Sequence, residues 1–376
     1  MQTRVAELLG VEFPIVAFSH CRDVVAGVTN AGGFGVLGAV AHSPRALETD
    51  LHWIDDEVRG KPYGVDLLLP HKHDQADDDG GELDADTLRQ LLPAEQQQFV
   101  EDILARYRVP ELPEAVERTR GSLNVSTGRV GGLLDVAFAH PIRLIASALG
   151  DPPASLVERA HDAGVLVAAL AGTAEHARRS NAKGVDVIVA QGTEAGGHTG
   201  QIATMVLVPE VIDAVAPTPV LAAGGIARGS QIAAALALGA EGVWCGSIWL
   251  TTAEAETHPA VQQKFLAASS SDTVRSRSLT GKPARMLRSA WTDAWEAEDA
   301  PPTIGMPGQT LLTASAQQRI NRHASEVGSG ANELATYFVG QAVGSMNAVR
   351  PVRQVMLDLV TEYADAAERF VALLDD

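Results

Sequence analysis

The feature that most constrains this chain is a set of eight short β-rich segments, most of them separated by amphipathic stretches of helical length. The segments are Pro14 to Ser19, Gly35 to Val40, Tyr63 to Leu69, Arg143 to Leu149, Val165 to Leu170, Val185 to Ala190, Pro219 to Gly225 and Gly242 to Leu250. Between them lie helical patterns such as Pro44 to Val58, Ala154 to Ala163, Ala174 to Ala182 and Ser230 to Leu238. Alternation of this kind builds a parallel sheet, whose strands are covered on both faces and therefore read as unbroken apolar runs. Eight units predict an α/β fold of the (β/α)8 TIM-barrel type. Periodicity alone leaves a doubly wound open sheet as the competitor, and the count favours the barrel.

Two segments break the alternation. Residues 70–141 form an excursion far longer than an ordinary strand-to-helix loop. It opens with His71, His73 and Asp74, continues through an acidic patch from Asp77 to Asp86, and turns helical around Leu88 to Tyr107. Because it leaves a strand's carboxyl end, it is expected to overhang the active face as a lid. A second excursion, residues 251–340, reads as a smaller helical cap domain inserted after the eighth strand. The segment 341–376 carries Val355, Met356, Leu359, Val360, Tyr363 and Ala367 at helical spacing, which returns the chain to the 1–250 barrel as its last helix.

Charge narrows the partners. With 47 acidic and 29 basic residues the chain carries a formal charge of -18 and repels nucleic acid, so a small-molecule enzyme is the better reading. The two cysteines, Cys21 and Cys245, are too few for a disulfide framework and point to a reducing, cytoplasmic setting. No segment is apolar for the length a bilayer requires, which predicts no membrane association. Exposed barrel helices commonly pair, making a homodimer the assembly to look for.

The most informative motif is Gln191 to His198, Gln-Gly-Thr-Glu-Ala-Gly-Gly-His, directly after the apolar strand pattern Val185 to Ala190. Paired glycines let the backbone take positive φ and approach a ligand closely, and they set His198 at a strand's carboxyl end. A plain glycine turn capped by a histidine is the competing reading. A second clue lies in Gly224-Gly225 and Gly246-Ser247, two glycine turns after the seventh and eighth strands. Their backbone N–H groups and the Ser247 hydroxyl are placed where barrels of this type often cradle a phosphate. By contrast, Gly33 to Gly38 matches G-x-G-x-x-G, but it follows a helical pattern and leads into a strand, the reverse of a dinucleotide-binding order.

Taken together, Ala31 to Gly38, Gln191 to Gly200, Ala222 to Ile226 with Ala233 to Ala240, and Gly246-Ser247 resemble the nitronate monooxygenases, formerly called 2-nitropropane dioxygenases. The resemblance covers about residues 8 to 250, with a weaker echo at Gly340 to Gly344 and in the final helix. It implies an FMN-binding barrel in which Gln191, Gly196, Gly225 and the run Trp244, Cys245, Gly246 and Ser247 face the flavin, Gly197 and Gly224 flank it, and His198 is the catalytic histidine. It further implies oxidation of an alkyl nitronate or nitroalkane by dioxygen to a carbonyl compound and nitrite. A histidine suits either electrostatic orientation or α-proton removal, because its unperturbed pKa is about 6.5.

The chain departs from that family at two strand ends. After the first strand it has Phe18-Ser19-His20-Cys21 where relatives often have an apolar pair, which brings Ser19 to the flavin and makes His20 a candidate substrate contact. On the third strand Asp66 stands where many relatives carry a flavin-bonding asparagine. An ionised aspartate accepts but cannot donate, so either that bond is altered or the acid is protonated. No metal site is expected, since His71, His73 and Asp74 sit on a solvated acidic loop. Trp291 and Trp295 are expected in the cap core, and Arg285 and Arg288 could steer an anion, though surface solvation explains them as easily. Two further readings are an NAD(P)H-dependent FMN reductase of the enoyl-acyl-carrier-protein type and a non-catalytic flavin-binding subunit.

Overall fold

The computed structural model describes residues 1–67, 92–112, 127–147 and 150–373. Its centre is a closed barrel of eight parallel strands. They are β1 (Ile15–Ser19), β2 (Phe34–Gly38), β3 (Gly64–Leu67), β4 (Leu144–Ser147), β5 (Leu166–Ala171), β6 (Val187–Gln191), β8 (Val220–Ala223) and β9 (Val243–Cys245). Closure comes from β9 lying beside β1, with Ile15 opposite Val243 and Ala17 opposite Cys245. Each of the eight predicted strands is present. The last is shorter than its apolar run, because the chain turns into a 3₁₀ helix at Ser247–Thr251 and Trp249 Nε1 donates back to the Cys245 carbonyl at 2.8 Å.

Side chains alternate between two layers, as the strand period requires. Val16, Phe34, Val36, Leu144, Ala146, Val187, Val189, Leu221 and Trp244 fill the barrel, and Val5 and Leu9 of helix α1 (Arg4–Leu9) pack beneath them. Ile15, Leu37, Val65, Leu67, Ile145, Val167, Ile188 and Val220 face outward against the helices. On β3 this alternation turns Asp66 inward, between the outward-facing Val65 and Leu67.

The surrounding helices are α2 (Arg22–Asn30), α3 (Pro44–Val58), α5 (Thr127–Ala139), α6 (Ala154–Asp162), α7 (Ala174–Asn181), α8 (Thr204–Val215), α9 (Gly229–Ala237) and α14 (Val352–Ala372). Helix α14 seats Val352, Val355, Met356 and Leu359 in the outward layer, and Glu362 accepts from the Gly229 N–H at 2.8 Å. The glycines of 33–38 serve close packing: a Cβ on Gly33 would lie 2.9 Å from the Ile15 carbonyl oxygen. No described helix is long and apolar enough to cross a membrane.

Above the barrel lies a second core. It joins Val100, Ile103 and Leu104 of α4 (Ala94–Arg106) to Phe265 of α10 (Pro259–Ala267), Trp291 and Trp295 of α11 (Ala290–Trp295), Ile320 of α12 (Gly308–His323) and Leu334 of α13 (Ala331–Leu334). Both tryptophans are thus core residues, as expected. Helix α4, from the excursion after β3, shares the core of the later insertion. Arg319 fastens the two, pairing with Glu101 at 2.9 Å and donating to the carbonyls of Val109 and Pro110. The insertion is also not purely helical. It contains a hairpin, β10 (Thr273–Ser276) and β11 (Ala284–Leu287), to which the two-residue strand β7 (Gly197–His198) adds as a third strand. Sequence reading missed β7 because two residues carry no period.

Candidate active site

A cavity of about 740 Å³ opens at the carboxyl ends of the barrel strands, and every residue expected to contact flavin or substrate borders it, the anion-steering candidates Arg285 and Arg288 excepted. Ser19 and His20 arrive from β1, Asp66 from β3, Gln191 from β6, Gly224 and Gly225 from β8, and Trp244, Cys245, Gly246 and Ser247 from β9. Residues so far apart in the chain meet because parallel strands all end at the same rim.

Gly196, Gly197 and His198 come from the loop after β6. Gly197 needs its glycine for conformation, at φ +74°. Gly196 needs its own for space: a Cβ there would lie 2.8 Å from the Gly340 nitrogen and the Val339 carbonyl carbon. The loop is then held in antiparallel register, Gly197 opposite Arg285 and His198 opposite Ala284. Arg285, only 8% exposed, donates from Nε to the Thr193 carbonyl at 2.8 Å and from a terminal nitrogen to Thr273 Oγ1 at 3.0 Å. Arg275 reaches the Thr199 carbonyl at 3.1 Å. Glu194 accepts from the Thr204 N–H and hydroxyl, tying the loop to the start of α8.

The expectation that Arg285 and Arg288 steer an anion is therefore corrected. Arg285 is a buried brace for the histidine loop, and Arg288 is an exposed residue paired with Asp293 at 2.7 Å. Neither borders the cavity, and among the described residues no lysine or arginine does.

His198 Nδ1 lies 3.3 Å from the Pro283 carbonyl oxygen, which can only accept, so Nδ1 carries the proton and the neutral ring keeps a lone pair on Nε2. Burial holds its pKa below the usual histidine value; the Pro283 bond opposes this and the Lys282 charge adds to it. Phe338 of the insertion stands beside the ring, centroids 6.2 Å apart. His20 is built alike. Its Nδ1 donates to the Gly38 carbonyl at 2.7 Å, its edge meets Phe18 at 5.1 Å, and burial lowers its pKa. Gly38 is required here, since a Cβ would sit 2.7 Å from His20 Nδ1. Two of the cavity's imidazoles, His20 and His198, are thus each anchored at Nδ1.

At the other end, Gly224 and Gly225 adopt φ of +108° and +74°. Among the described residues the N–H groups of Gly225 and Gly246 meet no protein acceptor. Ser247 Oγ accepts from the Gly340 N–H at 2.8 Å, leaving its own proton free to donate. This explains the faint motif at Gly340, where a Cβ would lie 2.5 Å from the Glu194 carbonyl oxygen. Cys245 borders the cavity, but its thiol packs in the outward layer, where burial pushes its pKa up to about 12. Thr310, Tyr337 and Phe338, which sequence reading did not find, complete the far wall. His71, His73, Asp74 and the acidic stretch 77–86 lie outside the described residues.

Against known proteins, residues 2–362 match the family model described as nitronate monooxygenase. The chain belongs to the nitronate monooxygenase family. Like the family as a whole it is an oxidoreductase. It is 65% identical over 375 residues, covering 100% of both chains, to a Mycobacterium tuberculosis protein named as a monooxygenase. The nitroalkane oxidase of Streptomyces ansochromogenes superposes with a TM-score of 0.78 at 26% identity, covering 97% of this chain and 99% of that one. FabK of Thermotoga maritima superposes with a TM-score of 0.74 at 26% identity, covering 99% of each.

Proposed function

We propose that this enzyme binds FMN in the barrel-mouth cavity and oxidises alkyl nitronates with dioxygen to a carbonyl compound and nitrite. The residues present fit such a group. The glycine turns at 224–225 and 246–247 offer unpaired N–H groups and one hydroxyl for a phosphate, with no cationic side chain required. The inward carboxyl of Asp66 and the side chain of Gln191 supply polar contacts for the ring system. Bound FMN would supply the redox chemistry, taking electrons from substrate and passing them to dioxygen.

The observation that carries this reading is His198, whose Nε2 lone pair belongs to a ring fixed by Pro283 and by the β7–β11 ladder in the cavity that holds the phosphate cradle. A neutral imidazole accepts the α-proton of a nitroalkane; once protonated it orients the negatively charged nitro oxygens of a nitronate. The apolar walls, Leu170, Trp249, Leu311 and Phe338 among them, exclude water and favour a substrate with a small charged head and an alkyl tail.

The test is the visible spectrum of the purified protein before and after anaerobic mixing with an alkyl nitronate. A bound flavin that is reduced, with reduction slowed in His198→Asn, supports the reading. A flavin that stays oxidised with nitronate but bleaches with NADH overturns it in favour of a nicotinamide-driven reductase. A protein without flavin at any stage overturns both.

A further inference from the structure

Among the described residues Asp66 is the one buried charged-type side chain in the barrel interior, 1% exposed, and neither of its carboxyl oxygens has a hydrogen-bond partner there. Its neighbours in register are Gly38 on β2 and Ala146 on β4, which carry no polar side-chain atom. The next residue of β4, Ser147, gives its hydroxyl to the Gly150 carbonyl at 3.2 Å. The main-chain carbonyl of Asp66 is satisfied by the Ala39 N–H at 2.9 Å, so only the side chain is left over.

The titratable groups that share the cavity come from several elements: His20 and Cys21 beyond β1, His198 on β7, Cys245 on β9, Glu256 and His258 before α10, and Tyr337 after α13. None of them bonds or ion-pairs with Asp66. His20, whose Nδ1 is committed to the carbonyl of Gly38, the residue opposite Asp66, has its pKa lowered by burial. With no cation or donor to stabilise a carboxylate, desolvation alone acts, and it raises the Asp66 pKa well above the usual carboxylate range.

A buried group without a partner marks a place where a ligand supplies one. We infer that Asp66 is a neutral carboxylic acid that pairs with the flavin through both oxygens, one donating and one accepting, so that its ionisation releases the cofactor. The inference rests on the FMN reading above. The chemistry matches: the pyrimidine part of a flavin offers an N–H beside carbonyl oxygens, and a COOH group offers an O–H beside a C=O. Ionised, the same side chain keeps only acceptors, loses the bond to the flavin carbonyl and sets a negative charge against it. Asparagine would keep a donor and an acceptor at every pH; aspartic acid makes retention conditional.

The experiment is FMN release on dilution of the flavin-loaded protein, followed by recovery of flavin fluorescence from pH 5 to pH 9, for the wild type and Asp66→Asn. Titration of the FMN phosphate, with a pKa of about 6, affects both proteins alike. The wild-type Kd is expected to rise about tenfold per pH unit once the carboxyl ionises, while that of Asp66→Asn holds level in the same range. The infrared spectrum of the wild type at pH 7 is expected to show the C=O stretch of a protonated carboxyl that the variant lacks. Parallel Kd curves, or no such band, overturn the inference while leaving the FMN reading intact. Failure of both proteins to hold FMN at any pH overturns the two together. Should Asp66→Asn not fold, the wild-type infrared band decides.

Discussion

His198 lies directly opposite Ala284 in an antiparallel ladder, so the imidazole offered by the sixth barrel strand is placed by a hairpin from the insertion after the last strand. Barrel and insertion build the cavity jointly: the first delivers the loop, the second sets its register. Arg285, next along the hairpin, clamps the same loop through the Thr193 carbonyl. Arg285→Met should therefore act on His198 without touching substrate. A displaced catalytic group costs up to about 100-fold in rate, so kcat for nitronate oxidation should fall ten- to 100-fold with FMN stoichiometry kept. The two lost charge-assisted bonds should lower stability by about 2 kcal/mol or more. Steady-state kinetics beside thermal unfolding checks both, and unchanged kcat in a destabilised protein would reduce Arg285 to a structural role.

His198→Asn should leave flavin binding intact and lower kcat/KM for the neutral nitroalkane by about 100- to 10,000-fold, the range of a lost general base. The pH profile of the wild type supplies an independent check. Burial lowers the His198 pKa, so the ring stays neutral to lower pH than a free histidine. Activity on nitroalkanes should be on its plateau at neutral pH and decline only on the acid side of the ordinary histidine value, about 6.5. An acid limb centred above that value would argue against His198 as the base.

Gly196→Ala sets a methyl group against the backbone of Val339 and Gly340, which cannot swing aside as a side chain would. Overpacking of this kind costs about 1–3 kcal/mol. Because the strain falls on the histidine loop, turnover should drop along with the melting temperature. The matched control is Gly305→Ala, where a Cβ meets nothing within 4 Å.

Asp66 also makes a stability prediction for the flavin-free protein. In the unfolded chain its carboxyl loses the proton near pH 3.9, whereas the folded protein retains it to higher pH. The folded state thus binds more protons, and stability declines as pH rises from about 4 toward the raised folded pKa. Flavin-free Asp66→Asn should melt higher than the wild type at pH 7, with the gap closing as pH is lowered to 4.5. A gap that does not change with pH would mean the benefit is packing and not ionisation.

The second core can be probed at Trp291, which is fully buried. Trp291→Ala should cost about 3–5 kcal/mol. Since that core joins α4 to the insertion and the insertion sets His198, a fall in flavin reduction rate is expected even below the melting transition. Trp291→Phe should recover most of both losses.

Much of this protein can be read from local pattern. Unbroken apolar strand runs, helices at period 3.6 and turns marked by glycine are properties of a few adjacent residues, and they led to eight strands and the glycine turns at their ends; Ser19, Asp66 and Gln191 were placed at the rim by the resemblance to the nitronate monooxygenases. His198 and its glycines were visible because close backbone approach needs glycine wherever it occurs. Other features depend on contacts between distant segments. The two-residue β7 exists only because the hairpin 273–287 lies beside it; Arg285 reads as a surface cation until its carbonyl partner is placed; and α4 belongs to a core assembled mostly from residues after 260. The Nδ1 anchors of His20 and His198 and the unpartnered carboxyl of Asp66 are likewise set by what surrounds each group. The sequence by itself determined the barrel and the residues at its mouth, because periodicity and backbone geometry are local. Only the tertiary structure decided the register of His198, the far wall of the cavity and the burial of His20, Asp66 and His198, because burial and pairing come from chain segments that meet only on folding.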